Sequence, residues 1–238
     1  MSADHPLVRM LAAFDARLRE LCAVLGDASL ESAPLGAVDE ERTDAHAHAH
    51  ALRMQAARCI WFAAPVPLDA FIEPGNRIAI VAPEGLRRLL AARALFTCRD
   101  AVRRCVDRET RRALREGVGA AAFEAIADMP SSHDANAILP EDMSSDALAR
   151  RGWQLIAADG ACRNATLRNV VELGLASVSD ESSQAPDLAR LGATHPVGMD
   201  AAVSPQAMRD GAAAGCTETD RFFSAARRMF PELQWLFG

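Results

Sequence analysis

Residues 84–126 read EGLRRLLAARALFTCRDAVRRCVDRETRRALREGVGAAAFEAI, and this stretch decides the fold class. Ten arginines fall in it, at 87, 88, 93, 99, 103, 104, 108, 111, 112 and 115. Between them the apolar residues recur at helical spacing: Leu86, Leu89 and Leu90, then Val102, Cys105 and Val106, then Leu114 and Val118. This pattern predicts short helices, each with one buried face and one arginine-rich face. The stretch holds no nucleophile, phosphate loop or metal-ligand set, which points toward binding of other proteins.

Composition extends the helical reading to the whole chain. Half of the 238 residues are hydrophobic, 5% are aromatic and none is tyrosine. Alanine and leucine dominate and β-branched residues are sparse, which favours helix over sheet. The length provides for one large domain or two small ones. The net charge of −6 argues against general nucleic-acid binding. Residues 84–116 nevertheless hold ten arginines against five acids, a basic patch on an acidic protein. Such a patch is suited to an acidic protein surface.

All 26 basic residues are arginine. A chain without lysine has no standard P-loop, no Schiff-base lysine for pyridoxal phosphate and no acceptor lysine for biotin or lipoate. The six cysteines form no C-x-x-C pair, and Cys22, Cys59 and Cys105 read as reduced core thiols. Arg9, Asp15 and Arg17 interrupt the N-terminal apolar run, so no secretory signal is expected, and no apolar stretch is long enough to span a membrane. The expectation is a cytoplasmic protein.

Along the chain, Leu7, Leu11, Phe14, Leu18, Leu21 and Leu25 repeat at 4-3-4-3-4 over residues 6–25. This seam suits either a core-facing helix or docking on a partner helix, and its shortness favours the core. Gly26 is expected to stop the helix and residues 27–43 to form an acidic linker. A second helix is predicted over 44–62. Arg77–Val81 (RIAIV) is the only strand candidate, and it reads equally well as an extended connector. A short helix at 120–127 precedes a loop over 129–144, and Ser145 is expected to cap a helix over 146–158. Another helix is predicted over 162–176, and 177–215 reads as a mobile Ser/Gly/Pro-rich segment. Thr217 and Asp220 resemble a capping box opening a helix that Pro231 ends. The apolar tail beyond it, with Trp235, Leu236 and Phe237, is expected to fold back into the core with Phe222, Phe223 and Phe230.

Candidate chemistry is thin. In Asp44-Ala-His46-Ala-His48-Ala-His50, a helix would place His46 and His50 one turn apart, able to share a metal, with His48 facing away. No further ligand stands at a familiar spacing, so His46 and His50 are weak metal candidates. No G-x-S-x-G elbow anchors a triad, and Gly117-Val-Gly119 is too short for a dinucleotide fingerprint. His133-Asp134 and His195-Pro196 are read as loop residues. No catalytic residue, cofactor or enzyme activity is expected.

The chain resembles the SctK family, the YscK/PscK-type cytosolic components of bacterial type III secretion systems. The residues that carry the resemblance are Pro83–Leu95, Asp100-Ala-Val-Arg-Arg-Cys-Val-Asp107 and Thr110-Arg-Arg-Ala-Leu-Arg115. They match a leucine-rich helix, a helix with a paired-arginine centre and a "Thr-Leu-Arg" helix. Arg150–Ala158 through Thr166-Leu167-Arg168, and the ending Phe230-Pro231-Glu-Leu-Gln-Trp-Leu-Phe237, are also similar. The resemblance covers residues 78–176 and the tail; the N-terminal 70 residues, the histidine run and 177–215 depart from it. It implies an adaptor of the cytoplasmic sorting platform, linking the inner-membrane ring protein SctD to SctQ pods.

The sequence therefore predicts an all-α, irregular multi-helix protein with at most a small strand element near 77–81. Its regions are 1–64 (N-terminal helices), 65–176 (the SctK-like core), 177–215 (the Ser/Gly/Pro-rich segment) and 216–238 (C-terminal helix and tail), packed as one domain. The expected function is non-enzymatic adaptor, monomeric in isolation and recruited to the cytoplasmic face of the inner membrane without inserting into it. Its expected partners are SctQ-like and SctD-like proteins, with no nucleic acid. The partner-facing candidates are Arg104, Arg108, Arg111, Arg115, Trp235 and Phe237. The rival readings are a helical chaperone or regulator unrelated to secretion, and a metal enzyme built on His46 and His50.

Overall fold

In this computed structural model the organising element is the helix Pro83–Thr97, α3 in a series that begins with α1 (Pro6–Ala28) and α2 (Thr43–Trp61). The structure describes residues 5–28, 43–131, 138–176 and 217–238. Pro83 opens α3 with its φ already fixed for a helix, and Glu84 sits in the first turn. Beyond them Leu86 is buried and every residue from Leu89 to Phe96 is buried, so the C-terminal half of α3 is enclosed on every side while Arg88 stays exposed. Its most intimate neighbour is α7 (Ser145–Ala158). The two cross at Gly152, where an added Cβ would lie 1.8 Å from the Leu90 carbonyl oxygen. Only glycine permits that approach.

Around α3 pack α4 (Arg99–Arg104), α5 (Arg108–Val118), α6 (Ala120–Ala127) and α8 (Ala165–Ala176). Next to them lies α9 (Glu218–Met229), followed by a 3-10 turn at Pro231–Leu233 and the short α10 (Gln234–Phe237). No strand occurs among the described residues, and the fold is all-α. The hydrophobic core is continuous from Met10 in α1 to Leu236 in α10.

The α1 seam faces the core. Phe14, Leu18, Leu21 and Leu25 are buried, and Phe14 meets Phe71 edge-on at 5.2 Å. The helix does not stop at Gly26 but runs to Ala28. A Cβ at Gly26 would be only in ordinary contact with Met54, so α2 packs beside the glycine and holds it in the helix. Cap chemistry explains other boundaries. Ser144, not Ser145, accepts from the Ala147 amide at 3.3 Å and starts α7. Asn164 accepts from the Thr166 and Leu167 amides, so α8 begins at Ala165 rather than near 162. The Thr217–Asp220 capping box forms as read. The expected linker at 27–43, the mobile segment at 177–215, His133-Asp134 and His195-Pro196 lie wholly or mostly outside the described residues.

The strand candidate is corrected. Arg77–Ile80 belongs to a 3-10 helix, Pro74–Ile80, and only Val81 is extended. Pro74 initiates the turn. Asn76 then ties it down, donating to the Ala70 carbonyl at 2.8 Å and accepting from the Cys162 amide at 2.7 Å. Arg77 adds bonds to the carbonyls of Phe71 and Ile72. The β-branched run is buried by helices, with no neighbouring strand described to pair with it.

Two readings of the thiols and of the 102–106 face also change. Cys22 is buried, but Cys59 is exposed and Cys105 only half-buried. Val106 is 91% exposed, because the chain leaves the helix at Cys105–Asp107 and turns it outward. Among the described residues Cys98 and Cys162 are buried as well, and burial pushes the Cys162 pKa up to about 12.

Candidate functional site

Asp107 creates the site by ending one helical run and starting the next. Its carboxylate accepts from the Thr110 amide at 2.7 Å, capping α5. A helix unbroken from Arg99 would place Arg108 one turn beyond Arg104 on the same face, but the break at Asp107 separates the two. Arg108 is the first residue of α5, on one helix with Arg111, Arg112 and Arg115. By the helical period these four lie within about 100° of one another. Leu114 and Val118, both buried, form the adjoining stripe that fixes α5 on the body.

Gly119 takes φ +90°, a left-handed conformation that suits glycine, and turns the chain into α6. The reversal brings Phe123 beneath α5. The Arg111 guanidinium lies 5.3 Å from the Phe123 ring centroid and donates to the Cys105 carbonyl at 3.2 Å. Arg112 pairs with Glu116 at 2.8 Å, four residues on, and Arg115 pairs with Glu124 of α6. Arg108 is exposed and has no ion pair among the described residues. Arg108, Arg111, Arg112, Arg115 and Phe123 together line a cup of about 250 Å³ with mostly apolar walls. The guanidinium groups rim it while their stems and the ring form its sides.

Of the residues anticipated for partner contact, the structure thus joins Arg108, Arg111 and Arg115. Arg104 is exposed at the end of α4 and does not line the cup. Arg112 and Phe123 complete it. Arg112 was legible as the residue one turn from Arg108; Phe123 was not, because only the Gly119 reversal places it there.

Arg93, Arg99 and Arg103 of the same stretch are structural. Arg93 is buried and donates to Thr219 at 2.9 and 3.0 Å and to Thr97 at 2.7 Å, with Asp159 at 3.4 Å. Burial lowers its pKa and Asp159 partly restores it. Arg99 donates to the carbonyls of Pro130 and Phe96 at 2.7 Å and pairs with Glu218. Arg103 donates to the carbonyls of Ala127 and Met129. These bonds join α3, α4 and the loop after α6 to the N-terminal end of α9.

The tail packs on the body. Leu236 is buried, and its carbonyl accepts from Arg77 at 2.7 Å. Phe237 stacks on Phe223 at 5.2 Å, and Trp235 lies under the Arg9 guanidinium at 4.2 Å. Both stay half-exposed at the rim of this contact. The His46 and His50 positions lie on α2 as expected, with the His46 side chain outside the described residues. Among the described residues no group of three or more His, Cys, Asp or Glu is placed to hold a metal. No described helix is long and apolar enough to cross a membrane.

A family model described as HrpB4, bacterial type III secretion protein, matches residues 3–204. The match fits the SctK-type resemblance and extends it over the N-terminal helices. No curated protein and no solved structure matches the chain.

Proposed function

The chain belongs to the HrpB4 family of bacterial type III secretion proteins, and we propose that it is a non-enzymatic adaptor of the sorting platform. In this reading it links an SctD-like ring protein to SctQ-like pods on the cytoplasmic face of the inner membrane. The family match across both the N-terminal helices and the α3-centred core carries the proposal.

The exposed arginine cluster of α5 supports it by offering a charged face that is bonded to the body at few points. Charge-assisted contacts of this kind steer encounter and fix register between parts of an exchanging assembly. Arg104, Arg108, Arg111 and Arg115 supply partner contacts in this reading, and the half-exposed Trp235 and Phe237 extend them.

Co-purification from cells making the tagged protein tests the proposal. SctQ-like and SctD-like proteins are expected in the eluate, with recovery falling as salt rises. Replacing Arg104, Arg108, Arg111 and Arg115 with glutamate should abolish recovery of one of the two and leave the helical circular dichroism intact. Capture of transcription factors or secreted effectors, and neither expected partner, would sink the adaptor reading in favour of a regulator or chaperone.

A further inference from the structure

We infer that the cup on α5 receives an acidic segment of a partner protein, with an apolar side chain entering the cup and flanking carboxylates meeting Arg108, Arg112 and Arg115. The inference deepens the adaptor reading and rests on it. It names the chemistry that the α5 face recognises.

Three observations carry it. First, the cup is small and apolar-walled, about 250 Å³. That is below the usual range of roughly 300–1,000 Å³ for small-molecule sites, and it suits one side chain of a peptide. Arg111 is held over Phe123 by the ring and by the Cys105 carbonyl, so this wall exists before a ligand arrives.

Second, the rim has cationic capacity to spare. Helix α5 carries four arginines against two glutamates, Glu109 and Glu116. Arg108 has no ion pair among the described residues. Among the described residues Arg112 and Arg115 are paired only with exposed carboxylates on the protein's own surface. Pairs of that kind contribute little and exchange readily, so a partner carboxylate can take the place of Glu116 or Glu124.

Third, the whole protein is acidic, with net charge −6. A long polyanion meets a repulsive field around it, whereas a short acidic segment meets the local patch.

The full-length protein, titrated into a fluorescein-labelled peptide of sequence EELFEE and followed by anisotropy, tests this. Saturable binding with a dissociation constant below about 1 mM at low salt is expected. Arg108→Gln with Arg112→Gln, both at exposed positions, should weaken it about tenfold, since two charge-assisted contacts are lost. Glu124→Gln should tighten it, because Arg115 loses its internal partner. The peptide EESSEE should bind about tenfold more weakly than EELFEE, the loss of the apolar anchor.

Absence of saturable binding overturns the inference. So does equal binding of EESSEE, equal competition by a thymidine oligonucleotide of the same charge, or no effect of the double glutamine variant in a protein whose thermal melt is unchanged. The co-purification experiment fails or succeeds independently. Peptide binding without SctQ-like or SctD-like proteins in the eluate keeps the cup and removes the adaptor.

Discussion

Arg93 and Arg99 lie in the same arginine-rich stretch as Arg108, Arg112 and Arg115, yet the two sets meet opposite surroundings. The side chains of Arg93 and Arg99 are 3% and 5% exposed, and every guanidinium nitrogen of Arg93 has an acceptor. The side chain of Arg112 is 81% exposed and meets one carboxylate on its own helix. The difference lies in helix position. Arg93 on α3 and Arg99 at the start of α4 are buried between neighbouring helices, so each must find fixed partners or bear a large desolvation cost. Helix α5 has one buried stripe, and its remaining arc faces water. One residue type, repeated through one stretch, thus bolts the C-terminal helix to the core in one half and rims a solvent-facing cup in the other.

The largest expected effect tests whether the C-terminal end belongs to the buried half. Deleting residues 232–238 removes buried Leu236, the Phe237 stack on Phe223 and the carbonyl that Arg77 bonds. With Trp235 and Phe237 only half-buried, the loss is on the order of 4 kcal/mol at ~25 cal/mol per Å² of apolar surface. The melting temperature should fall by roughly 8–16 °C for a chain of this size, read by circular dichroism. A truncated protein that melts like the full chain but no longer captures its partner would move the tail to the exposed, interface-forming side of the comparison.

Next in size is Arg93→Ala. The substitution leaves Thr219 and Thr97 without their donor and Asp159 without its cation. Asp159 is partly exposed and takes up water, so the cost stays near the lower end of that for a broken buried pair, on the order of 3 kcal/mol. Chemical denaturation reads it directly. An unfolding midpoint equal to that of the unsubstituted protein would mean that Arg93 is tolerated in the core rather than required there.

Much of this arrangement was legible from sequence, and the limits have physical causes. The periodic segments and their caps are local. The α1 seam, the helix at 120–127 and the Thr217–Asp220 box therefore needed no tertiary information. Which arginines are buried is not local. The Arg93 partners Thr219 and Asp159 stand 126 and 66 positions away, and nothing near Arg93 announces them. Arg77–Val81 failed for the opposite reason. Its β-branched composition is a local signal, but Pro74 and the bonds of Asn76 and Arg77 override it. The cup was half-legible: the spacing of Arg108, Arg111 and Arg115 is in the sequence, whereas Phe123 arrives only through the Gly119 reversal.

A smaller effect is expected at the boundary between the two halves. Hydrogen bonds from Thr110 to the Asp107 carboxylate hold its pKa below the ordinary carboxylate value. A depressed folded-state pKa means that the stabilisation is complete above the ordinary carboxylate range and is lost as pH falls through the lowered value. Asp107→Ala should therefore speed amide exchange in the first turn of α5 at neutral pH and leave α3 exchange untouched. Once the pH is below that lowered value, the substituted and unsubstituted proteins should converge in that turn. Acceleration in α3 as well would show that the two halves unfold as one unit.

The smallest effect on stability sharpens the comparison most. Arg112 and Glu116 form an exposed pair with arginine on the N-terminal side. This order is the less favourable one against the helix dipole, and such pairs lie at the weak end of surface ion pairs. Replacing both with alanine, itself a strong helix former, is expected to leave the melting temperature unchanged within error. If α5 is a recognition face, the same double variant should bind the EELFEE peptide less well, because Arg112 is gone while the fold is intact. The buried half must show the reverse dissociation. Arg93→Ala lowers stability, and peptide binding measured well below its melting temperature stays normal, since Arg93 does not line the cup. A common loss of stability and binding in both variants would erase the distinction between bolt and face. Separate losses would establish that one arginine-rich stretch is divided at Asp107 into a structural half and a recognition half.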